Sequence, residues 1–279
     1  MASMISFSAP TPGGAQTVSL SYERTGAGDP LLLLHGIGHH RQAWDPVIRL
    51  LAGERDVIAV DLPGFGISPP LPREVPYGLE SVAAVLSGLC EALEIERPHV
   101  AGNSLGGLLA LELARGKLVR SATALSPGGF WTEGELRYAL ALLGALRKAS
   151  LSTPLPMIER LSRSAAGRAV LTGIIYARPA RRSPDAVLAE TLALREATGF
   201  ESTLAAGRTV RFTDDVPDVP VTIAWGTRDL LLPRRQGVRA KHIIPGARLI
   251  RLPRCGHVPM SDDPALVARV LLDGSGRRR

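Results

Sequence analysis

The sequence predicts an α/β fold: a mostly parallel sheet buried between layers of helices, with a helical insertion above it. Three features carry that expectation. Short runs are apolar at every position, helical stripes separate them, and one long stretch lacks such runs. Strands apolar on both sides suit a sheet covered on both faces, and alternation of strands with helices is the signature of parallel pairing.

In chain order, residues 16–22 (Gln-Thr-Val-Ser-Leu-Ser-Tyr) alternate apolar and polar, as a half-exposed strand does. Continuous apolar runs at Leu31–Leu34 and Val57–Val60 read as strands, as do Pro98–Ala101, Ala122–Leu125, Val221–Trp225 and Arg248–Leu252. Between them, Leu79, Val82, Ala83, Leu86, Leu89, Cys90 and Leu93 fall at helical spacing and form one stripe. Leu105–Ala114 is an apolar helix entered directly from a strand. Pro264–Leu272 is the last helix, with Asp262 or Asp263 as its N-cap. From about Pro127 to Asp218 the pattern changes to helices alone: Glu133–Lys148, Pro156–Ser164 and Pro184–Glu196. The expected division is a core domain of residues 1–126 and 219–279 with a helical cap, or lid, at 127–218, because loops at the strand ends carry function.

Composition narrows the function classes. The chain has 279 residues, 45% of them hydrophobic, which is enough for a full core. Two cysteines, Cys90 and Cys255, make neither a disulfide framework nor a four-cysteine zinc site. The N-terminus shows no signal-peptide pattern and no run could span a bilayer, so the expected location is cytoplasmic. A net charge of +7 could suggest nucleic acid or an anionic surface. The basic residues are scattered, however, with clusters only at Arg181-Arg182, Arg234-Arg235 and Arg277-Arg278-Arg279, and aromatics reach only 4%, too few to stack many bases. A small-molecule substrate is the expected partner, nucleic acid is not, and a homodimer is left open.

Gly102-Asn103-Ser104-Leu105-Gly106 is the central motif. It matches G-x-S-x-G between a predicted strand and a predicted helix, where a sharp turn pushes the serine Oγ out of the sheet. Strand and helix then pass so closely that the positions two before and two after the serine need glycine. A nucleophilic serine requires a base, and the base requires an orienting acid. His257, in Cys255-Gly-His257, and Asp229, in Gly226-Thr-Arg-Asp229, follow later strands in the order Ser, Asp, His. An oxyanion hole needs two backbone N–H groups. Leu105 supplies one, and the loop His35-Gly36-Ile37-Gly38 supplies the other, placed on Ile37 with Gly38 as the neighbouring alternative.

With Asp61-Leu-Pro-Gly-Phe-Gly66, Gly102-Asn-Ser-Leu-Gly-Gly107, Trp225-Gly-Thr-Arg-Asp229 and Gly256-His257, the chain from about Val18 to Leu272 resembles the serine-nucleophile, esterase- and lipase-like branch of the α/β-hydrolase superfamily. The resemblance implies an α/β-hydrolase fold with a cap after the sixth strand, and no metal or organic cofactor. It assigns the triad to Ser104, Asp229 and His257 and the oxyanion hole to Ile37 and Leu105. Haloalkane dehalogenases and epoxide hydrolases carry aspartate at the nucleophile position, so Ser104 argues against both.

Other residues read more plainly. His39-His40 are adjacent in sequence and poorly spaced for one metal ion, so a loop or pocket-wall role is expected. Asp61 precedes the elbow, out of chain order, and reads as a turn-fixing residue. Asp214, Asp215 and Asp218 come too early for the acid. Cys255 reads as a free structural cysteine. Trp44, Phe130, Trp131 and Met157 are the candidate walls of an apolar substrate pocket, and a solvated helix face accounts for most cap arginines. The expected activity is hydrolysis of a carboxylic ester of a small or medium, mainly apolar substrate through an acyl-enzyme. The alternatives are carbon–carbon bond hydrolysis of the meta-cleavage product type, perhydrolysis or amide hydrolysis on the same scaffold, and a ligand-binding member of the fold that does not turn over.

Overall fold

Strands form where the sequence is apolar on both sides, and the sheet extends to one further strand at the N-terminal edge. The computed structural model describes residues 2–11 and 14–276, so the Arg277-Arg278-Arg279 cluster lies outside the described residues. The strands are β1 (Ser3–Ala9), β2 (Gln16–Gly26), β3 (Asp29–Leu34), β4 (Arg55–Val60), β5 (His99–Asn103), β6 (Ser121–Leu125), β7 (Val221–Gly226) and β8 (Arg248–Leu252). They make one eight-stranded sheet in the order β1-β2-β4-β3-β5-β6-β7-β8. β1 pairs antiparallel with β2, and β2 antiparallel with β4; every later pairing is parallel. β8 departs from the expected buried strand: it is the sheet edge, and only Leu252 of its five residues is buried.

Side chains along a strand point alternately to opposite faces. Leu32, Leu34, Ile58, Val60, Val100, Ala122 and Ile223 therefore enter one core, and Leu31, Leu33, Val57, Ala59, Ala101, Leu125 and Ala224 enter the other. Helices α1 (Asp45–Leu51), α2 (Leu79–Ala92) and α3 (Leu105–Arg115) follow β3, β4 and β5. Between β6 and β7 the chain makes α4 (Glu133–Ser152), α5 (Leu155–Arg163), α6 (Ala165–Thr172), α7 (Pro184–Glu196) and α8 (Phe200–Ala206), with no strand among the described residues there. α9 (Arg235–Ile243) and α10 (Pro264–Gly274) complete the chain order. α2, α3 and α9 cover the first core, and α1 and α10 the second. Asp263 is the α10 cap, accepting from the Leu266 N–H at 3.1 Å, while Asp262 is used elsewhere.

Register fixes where function can sit. Leu34 pairs with Gly102, Asn103 with Leu125, Leu125 with Ala224, and Gly226 with Leu252. The carboxyl ends of five parallel strands thus finish at one edge. The loops that leave them carry His35–Gly38, Ser104, Ser126, Asp229 and His257. The helices α4–α8 begin from that same edge. Arg137, Arg160, Arg163, Arg181 and Arg208 of this stretch are exposed, but others are not a solvated face: Arg147 donates to the Leu194 carbonyl and, at 3.1 Å, to that of Ala197; Arg195 donates to Ser150 and Thr153 carbonyls at 2.6 and 2.9 Å. Arg168 likewise reaches the Ser162 and Ala180 carbonyls, at 3.0 and 2.8 Å. These guanidiniums stitch helix ends together, using fork geometry to satisfy carbonyls that helix termini leave free.

Candidate active site

The serine is placed by backbone strain. Ser104 has φ 55° and ψ −112°, a conformation unfavourable for a residue with a Cβ. The turn is this sharp because β5 and α3 nearly touch: a Cβ on Gly102 would lie 2.0 Å from the Gly106 carbonyl oxygen, and one on Gly106 2.1 Å from that of Leu34. No side chain fits either site. The Ser104 N–H donates to the Leu125 carbonyl at 2.9 Å, which fixes the turn to the neighbouring strand.

Asp229 and His257 come together on the loops after β7 and β8. His257 Nδ1 lies 2.8 Å from Asp229 Oδ2, while Asp229 Oδ1 accepts from the Leu231 and Leu232 N–H groups at 3.0 and 2.8 Å. An ionised carboxylate only accepts, so Nδ1 carries the hydrogen and Nε2 presents its lone pair. His257 Nε2 is buried and has no hydrogen-bond partner among the described residues. The loop is tied to the elbow by Asn103, whose Nδ2 donates to the His257 carbonyl at 2.8 Å and to that of Leu125 at 3.1 Å. Asn103 stands within the elbow motif itself, yet its partner is a carbonyl 154 residues away, which only the fold reveals.

The loop after β3 passes directly beside the serine, since a Cβ on Gly36 would stand 3.2 Å from the Ser104 Cβ. His35 shapes it. Its Nε2 accepts from the Leu62 N–H at 3.0 Å, so Nδ1 carries the hydrogen and donates to the Gly36 carbonyl at 2.7 Å. Burial pushes the His35 pKa down to about 4, which keeps the ring neutral. The His39 N–H closes a turn onto the Gly36 carbonyl at 3.2 Å, with Gly38 at φ +72°. Among the described residues, neither the Ile37 nor the Leu105 N–H donates to another protein group.

A narrow apolar cavity of about 90 Å³ starts at Ser104, Ile37 and Leu105 and runs between α3 and the helices above it. Leu62, Leu108, Trp131, Leu136, Leu140 and Leu143 are among its walls, and no charged residue is among the described residues lining it. Of the four expected pocket residues, only Trp131 is on this wall; its indole N–H is held by the Val210 carbonyl at 3.1 Å. Trp44 is fully buried in the second core, packed with residues of α1 on the far side of the sheet. Phe130 is buried against Phe212, ring centroids 5.5 Å apart, and Met157 is half exposed on α5. Aromatic and sulfur-containing side chains are apolar wherever they sit, so type alone did not separate core, wall and surface. The wall is mainly leucine, with three from α3 (Leu105, Leu108, Leu109) and three from α4 (Leu136, Leu140, Leu143).

The remaining singled-out residues have structural partners. Asp61 accepts from the Arg41 N–H at 2.7 Å, from the Arg41 guanidinium and from the Ile67 N–H at 3.3 Å, holding the turn that follows β4. Asp214 and Asp218 pair with Arg115 at 3.8 Å and Lys117 at 2.7 Å. Cys255 is a free, buried thiol whose pKa burial pushes up to about 12.

Comparison with known proteins agrees with this architecture. The family model described as alpha/beta hydrolase family matches residues 31–270. An uncharacterized protein of Mycobacterium tuberculosis is 33% identical over 264 residues, covering 88% of this chain and 74% of its own. A 2-hydroxy-6-oxononadienedioate/2-hydroxy-6-oxononatrienedioate hydrolase of Cupriavidus pinatubonensis is 30% identical over 273 residues, covering 90% and 89%. In structure, a thermophilic esterase from Thermogutta terrifontis superposes with a TM-score of 0.77 at 20% identity, over 97% of both chains; at that identity the likeness is one of fold. Among the described residues no helix is long and apolar enough to cross a membrane. The strained serine between strand and helix, the sheet order and these matches converge: the chain belongs to the alpha/beta hydrolase family.

Proposed function

We propose that the protein is a serine hydrolase that cleaves carboxylic esters of apolar acids through an acyl-enzyme. The observation that carries this reading is the Asp229–His257 contact of 2.8 Å with Nε2 left unpartnered, on the strand edge that also presents the strained Ser104. In the proposed reaction Ser104 Oγ attacks the ester carbonyl while His257 Nε2 takes its proton. Asp229 then faces an imidazolium across one hydrogen bond and stabilises it. The oxyanion of the tetrahedral intermediate is met by the free Ile37 and Leu105 N–H groups, the latter at the N-terminus of α3. Collapse expels the alcohol, protonated by His257. Water activated by the same imidazole then releases the acid and restores Ser104.

The cavity argues for the acyl part of the substrate. Its walls offer van der Waals contact and no cation, so a carboxylate buried there would lose its hydration without a partner. Carbon–carbon hydrolysis is the second reading, favoured by the similarity to the Cupriavidus hydrolase. The uncharged lining favours the ester over a dianionic substrate.

The test is turnover of p-nitrophenyl esters across an acyl-length series, with Ser104→Ala alongside. Wild type should release p-nitrophenol and label at Ser104 with a fluorophosphonate, and Ser104→Ala should do neither above background. Equal activity in the two proteins would sink the nucleophile assignment. A vinylogous diketone cleaved faster than every ester would move the reading to carbon–carbon bonds.

A further inference from the structure

The chain between α6 and α7 crosses directly over both halves of the proposed site. The Ile175 carbonyl accepts from the His257 N–H at 2.8 Å and from the Val258 N–H at 3.2 Å. Asp262, buried, gathers three backbone donors: Gly256 at 2.8 Å, Ala177 at 3.0 Å and Arg178 at 2.9 Å. One carboxylate therefore bonds the histidine loop and the crossing segment together. The fit is close, because a Cβ on Gly256 would lie 2.6 Å from the Ile175 oxygen.

Tyr176, the next residue along, faces the other half. It is 3% exposed, and its Oη lies 3.0 Å from His39 Nε2 and 2.8 Å from Glu190 Oε1. His39 Nδ1 accepts from the His40 N–H at 3.0 Å, so the neutral ring carries its hydrogen on Nε2 and donates to Tyr176. Tyr176 in turn donates to Glu190, which Arg182 neutralises by pairing with both carboxylate oxygens. The same guanidinium stacks over the Tyr176 ring at 3.8 Å from its centroid. Burial holds His39 well below and Tyr176 well above their ordinary pKa ranges, so both remain neutral donors near neutral pH. The chain of donors runs one way, from the oxyanion loop to the cap.

Its end on the loop matters. His39 closes the turn whose second residue is Ile37; besides Tyr176 at 3.0 Å, Glu190 of α7 brings its Oε1 to 3.5 Å from the same His39 Nε2. We propose that Tyr176 is a positioning residue for the oxyanion loop, and that the segment Ile175–Arg178 makes the alignment of both Ile37 and His257 depend on the docked cap. This rests on the reading of Ser104 as nucleophile and Ile37 N–H as oxyanion donor. A polar group buried at this cost stabilises little beyond what apolar packing would supply, whereas it fixes direction.

The experiment uses the full chain and counts competent sites by fluorophosphonate labelling of Ser104, so that kcat is read per labelled serine. Tyr176→Phe removes one hydroxyl and keeps the ring under Arg182. Its kcat per labelled site should fall about tenfold, the order of one hydrogen bond felt only in the transition state, with KM within about twofold. Affinity for a trifluoromethyl ketone, which forms the oxyanion, should fall in parallel, while affinity for the product alcohol stays the same. His39→Asn keeps an acceptor for the His40 N–H yet cannot reach Tyr176, so it should show the same loss. Should Tyr176→Phe fail to fold, His39→Asn gives the reading. The double variant should be no worse than either single one, as expected for one relay. Wild-type kcat per labelled serine in Tyr176→Phe, even with a lowered melting temperature, would make the cluster mere packing and overturn the proposal. A wild type that neither labels nor turns over esters would instead overturn the nucleophile reading and this proposal with it.

Discussion

Ser104 holds a backbone conformation with φ 55° that costs about 1–3 kcal/mol, and the surrounding hydrogen bonds and close packing hold it there. What the proposed mechanism asks of the neighbouring histidine is a defined tautomer, and Asp229 sets it. Replacing Asp229 by Asn presents a donor to Nδ1 and turns the hydrogen onto Nε2. The expected result is a kcat loss of about 10³–10⁴ with little change in KM, read in steady-state ester hydrolysis. His35 makes a second prediction at this scale, for stability. Its pKa is lowered from 6.5 to about 4 in the folded protein, so between those values the unfolded chain binds more protons than the folded one. Stability therefore falls as pH drops through that window, by about 2 kcal/mol at pH 5 from this residue, and levels off below pH 4. Chemical denaturation of wild type and His35→Asn at pH 7 and pH 5 checks it: the variant should be less stable at pH 7 and lose less on acidification. Equal losses would show that the buried imidazole is not the titrating group.

At the scale of elements, the close approach of α3 to β3 and β5 is the least negotiable feature. The Gly106→Ala methyl would stand 2.1 Å from the Leu34 carbonyl oxygen, and that atom belongs to the adjacent strand and cannot yield. The substitution should cost about 3 kcal/mol or more. Thermal unfolding reads the loss directly, and fluorophosphonate labelling of the fraction that still folds should drop with it. Helix α4 has a different part. Its capping box joins the Thr132 hydroxyl to the Glu135 N–H at 3.4 Å and the Glu135 carboxylate to the Thr132 N–H at 2.9 Å. The same Glu135 carboxylate pairs with Arg235 and Arg239 of α9, so the start of α4 is pinned to the core while its leucines roof the cavity.

For the whole molecule, the cavity between α3 and the helices α4–α8 is where the proposed acyl group would be measured. Leu140 is on its roof, and Leu140→Trp should shorten the space. In the p-nitrophenyl ester series the optimum should move to shorter chains, with kcat/KM for the longest ester falling about tenfold or more and that for acetate nearly unchanged. An unshifted profile would place the acyl chain elsewhere. The crossing segment Ile175–Arg178 belongs to this scale too, because it links the helices between β6 and β7 to the loops that carry Ile37 and His257 through hydrogen bonds that no single element contains.

The sequence by itself determined the strands β2 to β8, the helices α2 to α5, α7 and α10, and the sheet edge on which Ser104, Asp229 and His257 lie. Periodicity of two and of 3.6 residues is written locally, and Gly102-Asn-Ser-Leu-Gly106 carries its own steric reason. β1 escaped notice although Ile5, Phe7 and Ala9 alternate with Ser6 and Ser8; the strand turns Phe7 and Ala9 into the first core and pairs with β2. α1, α6, α8 and α9, also unread, are short helices of seven, eight, seven and nine residues, whose stability comes from what they pack against. Only the tertiary structure decided which apolar residues wall the cavity, sending Trp44 and Phe130 to the core and Met157 to the surface. It alone turned Arg147, Arg168 and Arg195 into carbonyl ligands and joined Asn103 to His257, Asp262 to Ala177 and Tyr176 to His39. Those contacts join residues 85 to 154 apart, and a local pattern does not encode a distant partner.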